Sequence, residues 1–145
     1  MIVYLAGPID FDSGSKVTKI KEEIKEHFKK QECVWVYDPA GAWNAPSDLV
    51  PDEFVHWCNL RVLEQADLLV AVLVKQTLTI GTILEIQHAH ENETPIVVIG
   101  DIGINSVGLA ALEIPTYTSI KEWSKYGSLA LQNADNDWLS ADEGV

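Results

Sequence analysis

A chain of 145 residues with 47% hydrophobic content suits one domain with a real core and leaves little room for a second. Its formal charge of −12 argues against binding nucleic acid through phosphate contacts, which need a basic surface, and no apolar run nears the ~20 residues of a membrane span. Cys33 and Cys58 lack metal-type spacing, so two core thiols in a reducing, cytoplasmic setting are expected.

Met1 to Gly7 has no basic leader-like region and reads as a strand over Ile2–Ala6. Ser15 caps a helix in which Val17, Ile20, Ile24, His27 and Phe28 recur at helical spacing. Val34–Tyr37 is a second strand, broken by Asp38-Pro39-Ala40-Gly41, and a loop runs from there to about Pro51. A helix follows from about Asp52 to Gln65. Leu68–Val74 is a third strand, nearly all Leu and Val, as expected when both faces are buried. A loop at Lys75 to Ile80 leads into a helix from about Gly81 to Asn92. Pro95–Ile99 is a fourth strand, Val107–Leu112 a short helix and Pro115–Tyr117 a short fifth strand. Ser119 caps a last helix with Ile120 and Trp123. The domain is expected to end near residue 132, with an acidic, aperiodic tail over 133–145.

Strand–helix alternation of this kind gives a parallel sheet with helices on both faces, and five strands suggest the flavodoxin-like, doubly wound order 2-1-3-4-5. Ligands of such sheets bind at the carboxyl ends of strands 1 and 3, where the winding reverses. Two loops therefore matter most. The first opens with Gly7-Pro8, where a ligand can approach the backbone or where a plain turn leaves the strand. The second runs Lys75-Gln76-Thr77-Leu78-Thr79-Ile80-Gly81-Thr82 into a helix start, whose free N–H groups suit an anion or sugar oxygens.

Glu85 lies one turn into that helix, and the positive helix end is expected to favour its ionised form. An ionised, positioned carboxylate suits a glycosidic nucleophile. Thr82-x-x-Glu85 is equally a capping box, in which Glu85 only satisfies the helix start. Asn59 shares a helical stripe with Val55, Val62 and Ala66, and there it either bonds to neighbouring backbone or holds a ligand. Asp38 contacts a ligand or caps a turn, the turn being favoured. His88 and His90 face different directions and cannot form an i,i+4 metal pair; no metal and no cofactor are expected. His27 and His56 have no evident partners.

Five stretches carry a resemblance: Val3-Tyr4-Leu5-Ala6-Gly7-Pro8-Ile9, Tyr37-Asp38-Pro39-Ala40, Asn59 to Val72 with Ala66-Asp67, Thr79 to Ala89, and Thr94-Pro95-Ile96-Val97-Val98. In this order the chain resembles the nucleoside 2-deoxyribosyltransferase family. The resemblance implies a flavodoxin-like fold and a double displacement in which Glu85 attacks the anomeric carbon of a 2-deoxyribose and a second base, or water, releases the sugar. It implies Tyr4 beside the sugar and nucleophile, Gly7, Pro8 and Ile9 around the base, and Thr79, Gly81 and Thr82 around the sugar or a 5′-phosphate. It brings Asn105 and Ser106 to a neighbouring subunit's site and implies a homo-oligomer, for which Trp43, Trp57 and Trp123 supply either interface or core. Asn59 departs from the family, which often has an aspartate there to serve the leaving base; an amide can bond the base but cannot protonate it. The expected activity is deoxyribosyl transfer between bases on a small-molecule nucleoside. A deoxynucleoside 5′-monophosphate N-glycosidase and a non-catalytic nucleotide-binding protein remain as alternatives.

Overall fold

The computed structural model describes residues 1–8, 15–42, 50–75, 80–101 and 106–126. Five parallel strands form one sheet in the order β2-β1-β3-β4-β5: β1 (Ile2–Ala6), β2 (Trp35–Tyr37), β3 (Leu68–Val72), β4 (Ile96–Ile99) and β5 (Thr116–Tyr117). Among the described residues six helices connect and follow them: α1 (Lys16–Lys29), α2 (Pro39–Ala42), α3 (Asp52–Glu64), α4 (Ile80–Glu91), α5 (Val107–Ala111) and α6 (Ile120–Tyr126). The doubly wound, flavodoxin-like order and the register Val3↔Leu68 to Ala6↔Ala71 put the reversal of winding between β1 and β3, as expected from the sequence.

Period-2 alternation divides the core between the two faces. Val3, Leu5, Val70, Val72, Val97 and Ile99 pack under α1 and α6 with Ile24, Phe28, Ile120 and Trp123. Tyr4, Ala6, Leu69, Ala71 and Val98 pack under the opposite layer with Leu60, Leu63, Ile86, Ala89 and Leu109. All of β3 is buried, which is why its sequence shows no alternation. The Ser15 hydroxyl accepts the Thr18 N–H at 3.1 Å and caps α1; Ser119 does the same for α6 with the Glu122 N–H at 3.2 Å. Asp67 closes the lower end of the sheet, its carboxylate accepting the Ile2 N–H at 2.7 Å.

Two expectations need correction. The stretch after β2 is a one-turn helix rather than the start of a plain loop: Asp38 Oδ1 accepts the Ala40 N–H at 3.0 Å, and Pro39 stands at the first helical position, where its missing N–H costs nothing. Cys33 is an exposed thiol at a left-handed turn (φ 60°), and Cys58 is half-buried, so neither is a core thiol. The tryptophans divide: Trp123 is buried and Trp57 exposed. Trp43 lies outside the described residues, as does the 133–145 tail. Among the described residues no helix is long and apolar enough to cross a membrane.

Gly100 ends β4 at φ +142°, and a Cβ there would sit 1.9 Å from the Leu73 carbonyl oxygen. Backbone meets backbone at this point, so nothing can swing aside. Gly100→Ala is expected to destabilise the fold by at least about 2–3 kcal/mol through strain and overpacking, read as a lowered midpoint in urea unfolding.

Candidate active site

The winding reversal leaves a crevice above β1, and the chain closes around it from both layers. A cavity of about 490 Å³ opens there, lined by Gly7 and Pro8 after β1, Lys21 from α1, Pro39 and Ala40 from α2, Asp52, Val55, His56 and Asn59 from α3, and Ile80, Gly81, Thr82 and Glu85 from α4. Its volume falls within the ~300–1,000 Å³ of ordinary small-molecule sites. Sequence reasoning named Gly7, Pro8, Asn59, Gly81, Thr82 and Glu85, and all six line this one cavity.

Glu85 projects from the second turn of α4. The helix begins at Ile80, two residues before Thr82, so Thr82 stands inside its first turn and is not the cap that a capping box requires. The Glu85 side chain lines the cavity, with Oε2 buried and without a hydrogen-bond partner. Burial pushes the carboxyl pKa from 4.5 up to about 7; the Tyr4 hydroxyl and the Lys21 ammonium pull it down, and the Asp38 carboxylate adds to the rise. The helix end therefore does not keep this group at an ordinary carboxylate value. Desolvation outweighs it.

Tyr4 is fully buried on β1, its ring 5.4 Å from that of Tyr37. Burial first, and then the Glu85 charge, drive its phenol far above the usual range. The hydroxyl senses Glu85 without closing a hydrogen bond of normal geometry, and both Tyr4 Oη and Glu85 Oε2 lack such a partner.

Lys21 was not singled out from sequence, although the signal was present: it shares the buried stripe of Val17, Ile24 and Phe28 on α1. Its side chain crosses over Gly7, where a Cβ would lie 2.7 Å from Lys21 Cε, so glycine gives the lysine its route into the cavity. There Lys21 Nζ donates to Asp38 Oδ1 at 3.4 Å, while Lys25 Nζ donates to Asp38 Oδ2 at 2.7 Å. Burial alone would raise the Asp38 pKa, but the Lys25 hydrogen bond, both ammonium charges and the Ala40 N–H hold it below the ordinary value. Asp38 thus caps α2 and anchors Lys21 behind the cavity wall.

Asn59 accepts a hydrogen bond from the Tyr37 hydroxyl at 2.8 Å and lines the cavity. His56, one turn earlier on α3, lines it too and was also missed. Ser106 caps α5 through the Leu109 N–H at 3.3 Å and is not among the cavity residues. Ile9, Thr77, Thr79 and Asn105 lie outside the described residues. The Lys75 N–H is bound by Asp101 Oδ1 at 2.8 Å, and Lys75 is likewise absent from the cavity lining. His88 pairs with Glu64 at 3.1 Å. Among the described residues no group of three or more His, Cys, Asp or Glu is placed to hold a metal.

A carboxyl titrating near 7 when folded and near 4.5 when unfolded favours the folded state only in its protonated form. Its penalty is absent below about pH 4.5, grows as pH rises and is complete above about 7. Glu85→Gln removes it, so the variant should gain stability over the parent with rising pH, levelling above neutrality at a difference on the order of 3 kcal/mol. Thermal melts at pH 5 and pH 8 give the measurement; an equal shift at both would refute the assignment.

No family model and no curated protein matches the sequence. Solved structures do. A 2-deoxyribosyltransferase from the psychrotolerant bacterium Bacillus psychrosaccharolyticus is similar with a TM-score of 0.67 at 17% identity, over 87% of this chain and 92% of that one. A conserved protein from Enterococcus faecalis V583 is similar with a TM-score of 0.58 at 23% identity, over 77% of this chain and 74% of that one. The chain therefore has the fold of a 2-deoxyribosyltransferase, reached here at low sequence identity.

Proposed function

We propose that the protein cleaves the N-glycosidic bond of a 2′-deoxynucleoside, with Glu85 as nucleophile, and passes the sugar to a second base. The observation that carries this reading is the Glu85 carboxyl, which lines a nucleoside-sized cavity with one oxygen buried and without a hydrogen-bond partner. A Glu85 oxygen attacks C1′ as the C1′–N bond breaks and its electron pair leaves with the base. The glycosyl ester so formed is opened by an incoming base, which restores the carboxylate. Tyr4 and Lys21 favour the ionised form of the carboxyl. Asn59 is positioned to hydrogen-bond the base, while Gly7, Pro8, Gly81 and Thr82 form the walls. Ile9, Thr79 and Asn105 remain substrate contacts by resemblance alone, as does Ser106. The setting proposed is cytoplasmic.

The second reading is hydrolysis of a deoxynucleoside 5′-monophosphate. It is favoured by one feature: Lys21 lines the same cavity as Ile80, Gly81 and Thr82 of the first turn of α4, whose free N–H groups suit an anion. A homo-oligomer is also proposed. What supports it is a set of exposed apolar side chains on two adjoining helices, Phe54 and Trp57 on α3 and Ile80, Ile83 and Leu84 on α4.

Incubating the protein with the four deoxynucleosides and their 5′-monophosphates, with and without a second free base, is expected to yield released base by chromatography. Exchange products mark the transferase and free sugar or sugar phosphate the hydrolase. Glu85→Gln should abolish both while retaining ligand binding; binding by both forms with base release by neither establishes a non-catalytic binder. Because Glu85 must be ionised to attack, kcat/KM should fall about tenfold per pH unit below about 7. Trp57→Lys should shift the mass seen by light scattering toward the monomer.

A further inference from the structure

We infer that His56 is the acid that protonates the departing base. The inference rests on the glycosidic reading above and concerns a step that reading leaves unfilled. A purine anion is a poor leaving group, and a proton delivered to its ring as C1′–N9 breaks lets it depart neutral. The described cavity lining holds four ionisable side chains: Lys21, Asp52, His56 and Glu85. Glu85 is the nucleophile and must be without its proton. Lys21 is buried at 7% exposure, packed over Gly7 and bonded to Asp38, and its charge serves to favour the ionised nucleophile. Asp52 is an exposed carboxylate in the first turn of α3. Asn59, the remaining polar group on that wall, is an amide with no proton to release.

His56 is left, and the helix places it well. Asp52, Val55, His56 and Asn59 are spaced 0, 3, 4 and 7 along α3, so all four fall on one stripe, and all four line the cavity. A base held by Asn59 lies within one helical turn of the imidazole. Imidazole is the side chain best suited to give and recover a proton near neutral pH. The other charged side chains lining this cavity are Asp52 four residues earlier on α3, Glu85 from α4 and Lys21 from α1. The step balances: the imidazolium gives its proton to the purine ring at N7, the C1′–N9 pair passes to the base, Glu85 bonds to C1′, and the neutral imidazole takes back a proton from the incoming base or from water.

The test uses 2′-deoxyguanosine and 7-methyl-2′-deoxyguanosine, each as nucleoside and as 5′-monophosphate. The methylated base carries its positive charge already and leaves neutral without an added proton. His56→Gln and His56→Ala, each checked for an unchanged melting temperature, should lower kcat/KM for guanine release by about 10²–10⁴-fold and for 7-methylguanine release by less than about fivefold. They should also remove the loss of activity at high pH from the profile of the unmethylated substrate. Glu85→Gln should be inactive on both. Equal effects of the His56 variants on both substrates, or no effect on either, overturn the assignment while the glycosidic reading stands. If the unaltered protein releases neither guanine nor 7-methylguanine but does release another base, the assignment to purines fails alone; if it releases no base from any substrate, both fail together.

Discussion

A carboxyl group held away from water at the upper edge of a parallel sheet is the constraint on which the remainder of the site depends. Burial penalises the charged form of Glu85 and lifts its titration to about neutrality. A group in that state is unstable to either extreme: without compensating charge it is a neutral acid, and with full solvation it is an ordinary surface carboxylate. Here the compensation is graded. The Lys21 charge favours ionised Glu85, Asp38 holds Lys21 at 3.4 Å, and Lys25 holds Asp38 at 2.7 Å. Signs alternate from the buried carboxyl outward to Lys25, which is largely solvated, so no charge in the series is buried without an opposite neighbour.

That arrangement needs both faces of the sheet. Lys21 belongs to the layer of α1 and α6, while Glu85, Asn59 and His56 belong to the layer of α3 and α4. Elsewhere the strands separate these layers completely, as the two core clusters attest. They meet only past the end of a strand, and past β1 the way is open because residue 7 has no side chain. The winding reversal between β1 and β3 splays the neighbouring connections apart and leaves the volume in which the layers meet. Strand order, glycine and lysine are thus parts of one solution to placing a cation behind a buried carboxyl.

Much of this was legible from residues alone, for reasons that also explain the rest. Strand order followed from five apolar runs separated by helical periods, because a parallel sheet buries both faces and writes itself as unbroken Leu, Val and Ile. Glu85 and Gly7 were legible because loops at a winding reversal are few, and Asn59 because it is an amide on an otherwise apolar helical stripe. The α2 turn was missed because Asp-Pro-Ala-Gly ends a strand as readily as it caps a short helix, and only the Asp38 bond to Ala40 decides between them. Lys21 was passed over because a lysine on an apolar stripe is usually a solvated edge; its burial depends on Asp38 and Gly7, which are distant in sequence. His56 was passed over because its importance comes from Asn59 one turn later and from the cavity both face.

The overall charge of −12 and the local electrostatics of the cavity point in different directions, and distance decides which governs. Surface carboxylates separated from the site by more than a Debye length, roughly 8 Å in physiological salt, are largely screened there. Lys21 is buried in the cavity wall, where screening is weak, and Gly81 and Thr82 bring the opening turn of α4 to the same cavity. A negatively charged protein can therefore present a cation-backed crevice to a small substrate while its exterior repels a polyanion. The same separation explains why Glu85 titrates so far from its many exposed counterparts. Its environment is set by Tyr4, Lys21 and Asp38, three groups brought together from β1, α1 and the end of β2, and not by the composition of the chain.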